Sequence, residues 1–203
     1  LTDNTLIIFT SDNGGAGYIG LHDINKPYRG WKLTHFEGGV HVPFFAKWPA
    51  KIGKNQIYNK RIHHTDIFST ILGAANIEMP KDIKIDGIDL IPYIVDKKES
   101  EPHTTLYWKN ATYQAIIHND WKLMRSKYPA KQEFLYDLKN DPYEVVNLAN
   151  SKLDIKQVLN TMLDKHIESM PKPNWPQSVF MPTPINTPTT EYKDGDELIY
   201  WPN

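Results

Sequence analysis

The sequence feature that most constrains the fold is a short apolar run near the start of the chain, Leu6 to Phe9, which stops at the turn sequence of residues 11–15, Ser-Asp-Asn-Gly-Gly. A run of this kind, rich in isoleucine and closed by turn residues, is typical of a fully buried strand in a parallel sheet. In open α/β sheets, ligands bind outside the carboxyl ends of the strands. The sequence therefore predicts an α/β fold with Asp12 and Asn13 at a ligand-binding edge.

Asp12 and Asn13 offer two adjacent oxygen donors, one charged and one neutral. Hard cations such as calcium prefer oxygen ligands of this kind, and the glycines that follow let the backbone turn sharply. The same four residues are also an ordinary turn sequence. Taken alone, they leave both interpretations open.

Four further motifs follow in a fixed order. They are Arg29-Gly30-Trp31-Lys32, Glu37-Gly38-Gly39, Val42-Pro43 and Trp48-Pro49. Together with the Ser-Asp-Asn-Gly run, this ordered set resembles the formylglycine-dependent sulfatases, the arylsulfatase family of the alkaline-phosphatase-like superfamily. The resemblance departs at positions 31 and 33, where many relatives have glycine, and at His41, where they have arginine.

The resemblance implies a chemical role for three residues, and a fourth, Glu37, is expected to have a structural one. Lys32 is expected to contact the substrate sulfate, as both a catalytic and a substrate-binding residue, because an ammonium group stabilises accumulating negative charge. Asp12 and Asn13 are expected to be ligands of one calcium ion, which acts as a Lewis acid and orienting template. Glu37 is expected to be structural, a buried carboxylate that holds a turn.

The nucleophile of this family is a formylglycine made from cysteine or serine in a Cys/Ser-x-Pro/Ala-x-Arg motif. The chain has no cysteine, and the run at 100–104, Ser-Glu-Pro-His-Thr, ends in threonine and lies in a linker. We therefore expect the nucleophile and the remaining metal ligands in a missing N-terminal half. A parallel strand also needs crossover partners, which favours a chain that is the C-terminal part of a longer protein.

Composition excludes several classes of function. The formal net charge is −1 over 203 residues, which argues against a broad nucleic-acid interface. Apolar runs are too short to cross a bilayer, and the first residues lack the features of a signal peptide. A periplasmic or extracellular location follows from the resemblance only, as does a sulfated small molecule or glycan as the substrate.

The predicted architecture is the C-terminal part of an α/β/α sandwich followed by a small α+β subdomain and a tail. The boundaries are 1–102 for the catalytic-domain part, 103–170 for the subdomain and 171–203 for a proline-rich extended tail. The subdomain is predicted as a four-stranded antiparallel meander with an amphipathic helix over 151–170 packed on it. Prolines in the tail are expected to prevent regular strand pairing.

Two helix starts are also predicted. Thr65 is a plausible N-cap for a helix that begins at Asp66, and this capping role explains residues 63–66 better than metal ligation. Asp141, Pro142 and Glu144 form a capping-box sequence that predicts a second helix start.

Two alternatives remain at this stage. A phosphodiesterase or phosphonate hydrolase of the same superfamily is the closest enzymatic rival, although the Lys32 motif favours the single-metal sulfatase arrangement. A non-catalytic, glycan-binding relative is the other, and it has no evident need for Asp12, Asn13 and Lys32 together.

Overall fold

The computed structural model describes residues 1–128, 130–175 and 177–202. The chain separates into two compact units, the first formed by Leu1–Thr10 and Pro43–Thr104, the second by Ser11–Val42 and Thr105–Asn203. The three-segment division of the sequence stays a prediction about domain organisation. What the structure adds is that residues 11–42, which carry the predicted site, belong to the same unit as the C-terminal sheet.

The first unit contains one strand pair, two α-helices and a short 3-10 helix (Thr2–Asn4). Strand β1 (Ile7–Thr10) pairs antiparallel with β2 (Phe44–Lys47), so that Ile7 lies opposite Lys47 and Thr10 opposite Phe44. The α-helices of this unit are α2 (Asp66–Ala74) and α3 (Ile91–Ile94). Helix α1 (Glu37–Val40) belongs to the second unit.

The prediction that β1 is a fully buried strand of a parallel sheet is wrong for this structure. Its partner runs antiparallel, and its residues alternate between exposed and half-buried, with Phe9 66% exposed. An apolar, β-branched run specifies an extended backbone, but its burial depends on which elements pack against its two faces. β2 has the same alternating pattern.

Helix α2 begins where it was predicted, with Thr65 at the N-cap position. The cap itself differs from the prediction, since the Thr65 hydroxyl lies 3.0 Å from His63 Nδ1 and makes no bond to the first turn. The fully buried carboxylate of Asp66 accepts the backbone N–H of His63 at 2.7 Å and of Ile88 at 3.0 Å. His103 Nε2 lies 2.8 Å from the same carboxylate. Asp66 therefore joins the start of α2 to the connection that follows it.

The second unit is built on a four-stranded antiparallel meander, as predicted. The strands β3 (Thr105–Lys109), β4 (Tyr113–His118), β5 (Trp121–Ser126) and β6 (Gln132–Asp137) are hydrogen-bonded in chain order. Each strand is joined to its neighbour by a short connection, which is the simplest way to link antiparallel strands.

Helix α4 (Leu153–Glu168) covers one face of this sheet and confirms the predicted amphipathic helix. Leu159 and Leu163 are the buried residues of α4, and they pack with one residue from each of β4, β5 and β6. Those strand residues are Ile116, Leu123 and Leu135. Among the described residues, no helix has the length and apolar character needed to cross a bilayer.

The opposite face of the sheet has a different cover. Phe36, which precedes α1, packs there with Ile185 and Ile199 from the C-terminal tail. The sheet side chains in this cluster are Tyr113, Ala115, Ile117, Met124, Phe134 and Tyr136. The sheet is thus enclosed between α4 on one side and the site-bearing segment with the tail on the other.

The tail forms regular structure, contrary to the prediction. Strand β7 (Phe180–Pro184) pairs antiparallel with β8 (Leu198–Pro202) as a separate two-stranded sheet. Proline removes only the backbone donor, and strands with a free edge tolerate it. The aromatic rings of Phe180 and Tyr200 in the tail contact the ring of Tyr128. Pro176 and Asn203 of the predicted tail lie outside the described residues.

The helix predicted from the capping box at Asp141 is also wrong. Residues 141–150 are turns and irregular backbone, although the Asp141 carboxylate does accept the N–H groups of Val145 at 3.0 Å and Val146 at 2.8 Å. Glu144 has a φ of 58°, which no right-handed helix allows. Its carboxylate is directed into the protein interior, and this tertiary role overrides the local helix signal.

Candidate active site

Three backbone segments meet in the second unit around the predicted site residues. They are the Asp-Asn loop (residues 12–15), the lysine turn (residues 31–34) and helix α1. The N–H of Lys32 donates to the carbonyl of Gly15 at 3.1 Å, and the N–H of Gly14 donates to the carbonyl of Gly39 at 2.9 Å. The Asp-Asn loop is therefore hydrogen-bonded to both of the other segments.

The side chain of Asn25 also holds the Asp-Asn loop in place. Its amide oxygen accepts the N–H of Gly15 at 2.7 Å, and its amide nitrogen donates to the carbonyls of Gly15 and Gly30. One side chain thus joins the Asp-Asn loop to the residue before the lysine turn.

Two glycines allow these segments to lie in backbone contact. A β-carbon on Gly14 would lie 1.7 Å from the carbonyl oxygen of Gly38, and one on Gly38 would lie 2.3 Å from the carbonyl oxygen of Gly30. No side chain of any size fits at such distances. The glycines of the Asp-Asn-Gly-Gly and Glu-Gly-Gly motifs are therefore required by the packing of three loops.

The lysine turn has the geometry of a type II β-turn. The N–H of Thr34 donates to the carbonyl of Trp31 at 2.9 Å, and Leu33, at the third position, has a φ of 79°. A type II turn needs a positive φ at that position and favours glycine there. The Thr34 hydroxyl adds a bond to the Trp31 carbonyl at 2.8 Å. The surrounding contacts hold Leu33 in a strained conformation, with Lys32 at the corner of the turn.

The predicted site residues Asp12, Asn13 and Lys32 all lie in this one unit, linked through Gly15. The Lys32 side chain is half-buried, and among the described residues it forms no ion pair. Asp12 is exposed, and Asn13 is half-buried. The structure thus presents one charged carboxylate, one amide and one unpaired ammonium group on adjoining loops.

The donors of the Asp-Asn loop fit part of a calcium shell. The amide nitrogen of Asn13 donates to the carbonyl of Gly14 at 3.0 Å, which leaves its amide oxygen available, and the Asp12 carboxylate is open to solvent. Calcium takes six to eight oxygen ligands. Within the described residues no cluster of three His, Cys, Asp or Glu side chains is suited to a metal. This chain can therefore supply two donors of such a shell.

A buried ion cluster lies directly behind the site. The Lys122 ammonium group, fully buried on β5, donates to Glu37 Oε1 at 2.8 Å and lies 2.9 Å from Glu144 Oε1 in an ion-pair contact. Glu144 Oε2 accepts the backbone N–H of Glu37 at 2.6 Å. One lysine and two glutamates thus attach the start of α1 to the sheet, and the expected structural role of Glu37 agrees with these contacts.

Charge within this cluster shifts the pKa of each carboxyl group in a different direction. Burial alone raises the pKa of Glu37, but the Lys122 ammonium and the hydrogen bond to His41 outweigh it and lower that pKa to about 2. Burial raises the pKa of Glu144, and repulsion from Glu37 adds to it against the attraction of Lys122. For Lys122, the two carboxylates outweigh desolvation and raise the pKa. The ionised form of Lys122 is therefore the stable one.

Arg29, the first residue of the Arg-Gly-x-Lys motif, is held from two sides. Its Nη1 donates to the Tyr136 hydroxyl at 2.9 Å and its Nε donates to Asn186 Oδ1 at 2.8 Å, while its Nη2 forms an ion pair with Glu197. The guanidinium group also stacks 4.6 Å from the centre of the Phe36 ring. This arginine is therefore engaged in structural contacts, and the lysine three residues later is the free cation of the motif.

Sequence reasoning missed Lys122, Glu144 and Asn25. Lys122 lies on a strand two positions before Met124, which packs in a core cluster, and the alternation of side chains along a strand was the available signal. Glu144 was assigned to a helix cap. Asn25 carries no local signal, because its partners at Gly15 and Gly30 are defined only by the folded loops.

Comparison with known proteins places these residues in a family context. Residues 30–172 match the family model described as N-sulphoglucosamine sulphohydrolase, C-terminal. The chain is 34% identical over 170 residues to the uncharacterised sulfatase YdeN of Escherichia coli (strain K12), which covers 75% of this chain and 30% of that protein. It is 28% identical over 187 residues to an N-acetylgalactosamine-6-O-sulfatase of Bacteroides thetaiotaomicron, which covers 81% of this chain and 36% of the relative. The chain spans about a third of the length of these curated relatives.

The fold comparison agrees with the sequence comparison. The crystal structure of the PsFucS1 sulfatase from Pseudoalteromonas sp. superposes with a TM-score of 0.66 at 27% identity, covering 83% of this chain and 38% of that one. The crystal structure of Ps i-CgsB gives a TM-score of 0.73 over 85% of this chain and 38% of the other at 24% identity, which supports the fold alone.

Proposed function

We propose a function from one premise: this chain belongs to the sulfatase family, as its C-terminal portion. The protein that carries it hydrolyses sulfate esters, and the chain contributes the sulfate-binding lysine and two of the metal ligands. The observation that carries this proposal is the half-buried, unpaired ammonium group of Lys32 on a turn hydrogen-bonded to the Asp-Asn loop.

The environment of Lys32 supports a role in anion binding. Its neighbours Arg29 and Glu37 are engaged with buried or half-buried partners, whereas Lys32 has no carboxylate to neutralise it in the part of the chain that the structure describes. A lysine in such a place binds a sulfate oxyanion as a point charge. Because its turn is held by Trp31, Thr34 and Gly15, little reorganisation is needed when charge develops on the ester.

Asp12 and Asn13 would hold calcium through one carboxylate and one amide oxygen. A bound calcium ion supplies Lewis-acid polarisation of sulfate oxygens. The residues of this chain would orient the ester from two sides. The Asp-Asn loop would hold the metal ion on one side of the sulfate group, and Lys32 would bind the sulfate oxygens from the adjoining turn, which is hydrogen-bonded to that loop. The formylglycine nucleophile belongs to residues that this sequence does not include.

The substrate class we propose is a sulfated glycan. The relative from Bacteroides thetaiotaomicron is named for sulfate on N-acetylgalactosamine. A periplasmic or extracellular location suits such a polymer, and it remains a proposal from the family.

The proposal is tested by assaying the complete protein with a sulfate monoester, the matching phosphate monoester and a phosphodiester of the same alcohol, with and without calcium. We expect calcium-dependent turnover of the sulfate ester at a kcat/KM at least about a hundredfold above that of either phosphorus ester. Preference for a phosphorus ester would favour the phosphodiesterase or phosphonate hydrolase alternative. Binding of sulfated oligosaccharides without turnover of any ester would favour the non-catalytic one.

A further inference from the structure

The C-terminal hairpin, defined as residues 180–202, contacts the two residues that flank Gly30 ahead of Lys32. The carbonyl of Pro184 accepts the indole N–H of Trp31 at 3.0 Å. Asn186 Oδ1 accepts a bond from Arg29 Nε at 2.8 Å, and the Glu197 carboxylate forms an ion pair with Arg29 Nη2. The hairpin therefore holds the backbone that leads into the lysine turn.

The hairpin lies beyond residue 172, where the segment shared with the family model ends. It is nevertheless part of the core of the second unit, because Ile185 is fully buried and Ile199 is 1% exposed, both in the cluster around Phe36. Two apolar anchors and three polar contacts thus connect a segment outside the matched region to the candidate site.

We infer that the C-terminal hairpin is a positioning element for Lys32, with Glu197 and Asn186 as its positioning residues. This inference rests on the proposed function, in which Lys32 binds the sulfate group. Neither residue contacts the substrate; both act through Arg29.

The contacts of Arg29 show how the effect reaches the turn. Its backbone carbonyl accepts the N–H of Gly38 at 2.7 Å, so its position also governs the approach of α1 to the lysine turn. The Arg29 side chain is 16% exposed, and Glu197 is the one carboxylate that pairs with it among the described ion pairs. When Glu197 is removed, a largely buried guanidinium group loses its counter-charge and keeps only neutral partners among the described residues, namely Asn186, Tyr136 and the carbonyl of Glu144.

A second contact of the tail reaches the loop that precedes the lysine turn. His22 Nε2 lies 3.0 Å from Glu191 Oε1, with both side chains about half exposed. The C-terminal hairpin thus contacts the chain on both sides of Arg29, at His22 and at Trp31. A contact on one side of Arg29 alone would leave the lysine turn free to move, whereas contacts on both sides of Arg29 restrict its movement.

The test uses the complete protein with the double variant Glu197→Ala/Asn186→Ala. Asp194→Ala is the matched control, because Asp194 is an exposed carboxylate of the same hairpin segment with no side-chain contact among the described residues. Glu197→Gln is the conservative variant, since it keeps an oxygen acceptor for Arg29. Each protein is measured by hydrogen exchange of the amides of residues 31–34 and of strands β4 and β5, and by kcat/KM on p-nitrophenyl sulfate.

We expect the double variant to exchange the amides of Lys32 and Thr34 at least about tenfold faster, with the sheet amides unchanged. Its kcat/KM should fall about tenfold, which is below the roughly hundredfold cost of a 1 Å misplacement of a catalytic group. Asp194→Ala should match the wild type, and Glu197→Gln should recover most of the loss.

The inference is overturned if the double variant behaves like Asp194→Ala in both measurements. It is also overturned if exchange rises equally in the turn and the sheet, since that result means general destabilisation. Failure of the wild-type protein to hydrolyse p-nitrophenyl sulfate or any other sulfate ester would instead reject the proposed function, and the exchange of residues 31–34 would still decide whether the hairpin holds the turn.

Discussion

The buried ammonium group of Lys122 lies 2.8 Å from the carboxylate of Glu37, the first residue of helix α1. This contact joins the centre of a C-terminal sheet strand to the Glu-Gly-Gly motif, whose last two residues pack against the Asp-Asn loop and Arg29. The sheet of the second unit is therefore the structural support of the candidate site.

Loss of the Lys122 charge should destabilise the protein strongly. Lys122→Met leaves the carboxylates of Glu37 and Glu144 buried without a cation, and removal of one partner from a buried ion pair costs about 3–5 kcal/mol. Urea unfolding at pH 7 measures this loss. Lys139→Met, at an exposed position, is the control and should change stability by less than about 0.5 kcal/mol. The double variant Lys122→Met/Glu144→Gln should be more stable than Lys122→Met, because one of the two unpaired carboxylates is removed. A double variant that is less stable than Lys122→Met would contradict the ion-cluster interpretation.

Lys32→Ala should reduce kcat/KM of the complete protein on an aryl sulfate by at least about a hundredfold, as for the loss of one donor that stabilises developing negative charge. The thermal unfolding temperature should stay unchanged, because Lys32 forms no ion pair within the described residues. Lys51→Ala, an exposed lysine of the first unit, is the matched control. Equal activity of the two variants would show that Lys32 is an ordinary surface residue.

Asp12→Ala should weaken calcium binding without altering the fold, since its carboxylate is exposed. Removal of one charged ligand from a calcium site lowers the affinity by roughly tenfold or more. Calcium titration of the chelator-treated complete protein measures this change directly and independently of turnover. Asp82→Ala, also an exposed carboxylate, is expected to bind calcium as the wild type does. An unchanged titration for Asp12→Ala would remove this residue from the metal site.

Replacement of Leu33 tests the strained turn beneath Lys32. Leu33→Gly and Leu33→Val both shorten the side chain, but only glycine adopts a φ near 79° without a steric penalty. The glycine variant should therefore be more stable than the valine variant by about 1–2 kcal/mol. This order is the reverse of the one expected at a position with negative φ, where glycine is the less favourable residue. Urea unfolding of the two variants, side by side, measures it.

Protonation of His35 should contribute to the pH dependence of stability. Burial, and then the nearby Lys122 ammonium, lower the pKa of His35 to about 3. Its unfolded value is about 6.5, so between these values the unfolded chain binds one more proton than the folded one. Stability from this group is therefore fully present above about pH 6.5 and is lost as the pH falls, at about 1.4 kcal/mol per pH unit.

The variant His35→Phe isolates this contribution. A phenyl ring retains the stack on Tyr113, whose centre lies 5.0 Å from that of His35. The stability difference between pH 7 and pH 5 should be smaller in the variant by about 2 kcal/mol. Both pH values lie above the range from 4.5 down to about 2, in which protonation of Glu37 removes its contribution to stability. An identical pH dependence in the two proteins would mean that His35 has the same pKa in the folded and the unfolded chain.

The residue patterns predicted the elements that depend on local chemistry. The β3–β6 meander follows from short apolar runs separated by turn residues, and α4 follows from a periodic apolar stripe. The motifs that contain Asp12, Asn13 and Lys32 were also located from the sequence, and the roles of these residues stay predictions. These features are properties of contiguous residues, so the sequence alone contains the information.

What the sequence determined by itself, then, is the β3–β6 meander, the helices α2 and α4 and the glycine-rich loops, while the chemical roles of Asp12, Asn13 and Lys32 stay predictions. Tertiary structure alone decided the direction in which β1 pairs, the pairing of the proline-containing tail, and the fate of Glu144, whose carboxylate binds the Lys122 cluster instead of capping a helix. The physical reason is that a buried charge is stable only beside a partner of opposite charge. That partner lies more than twenty residues away in the chain, where no local pattern can identify it.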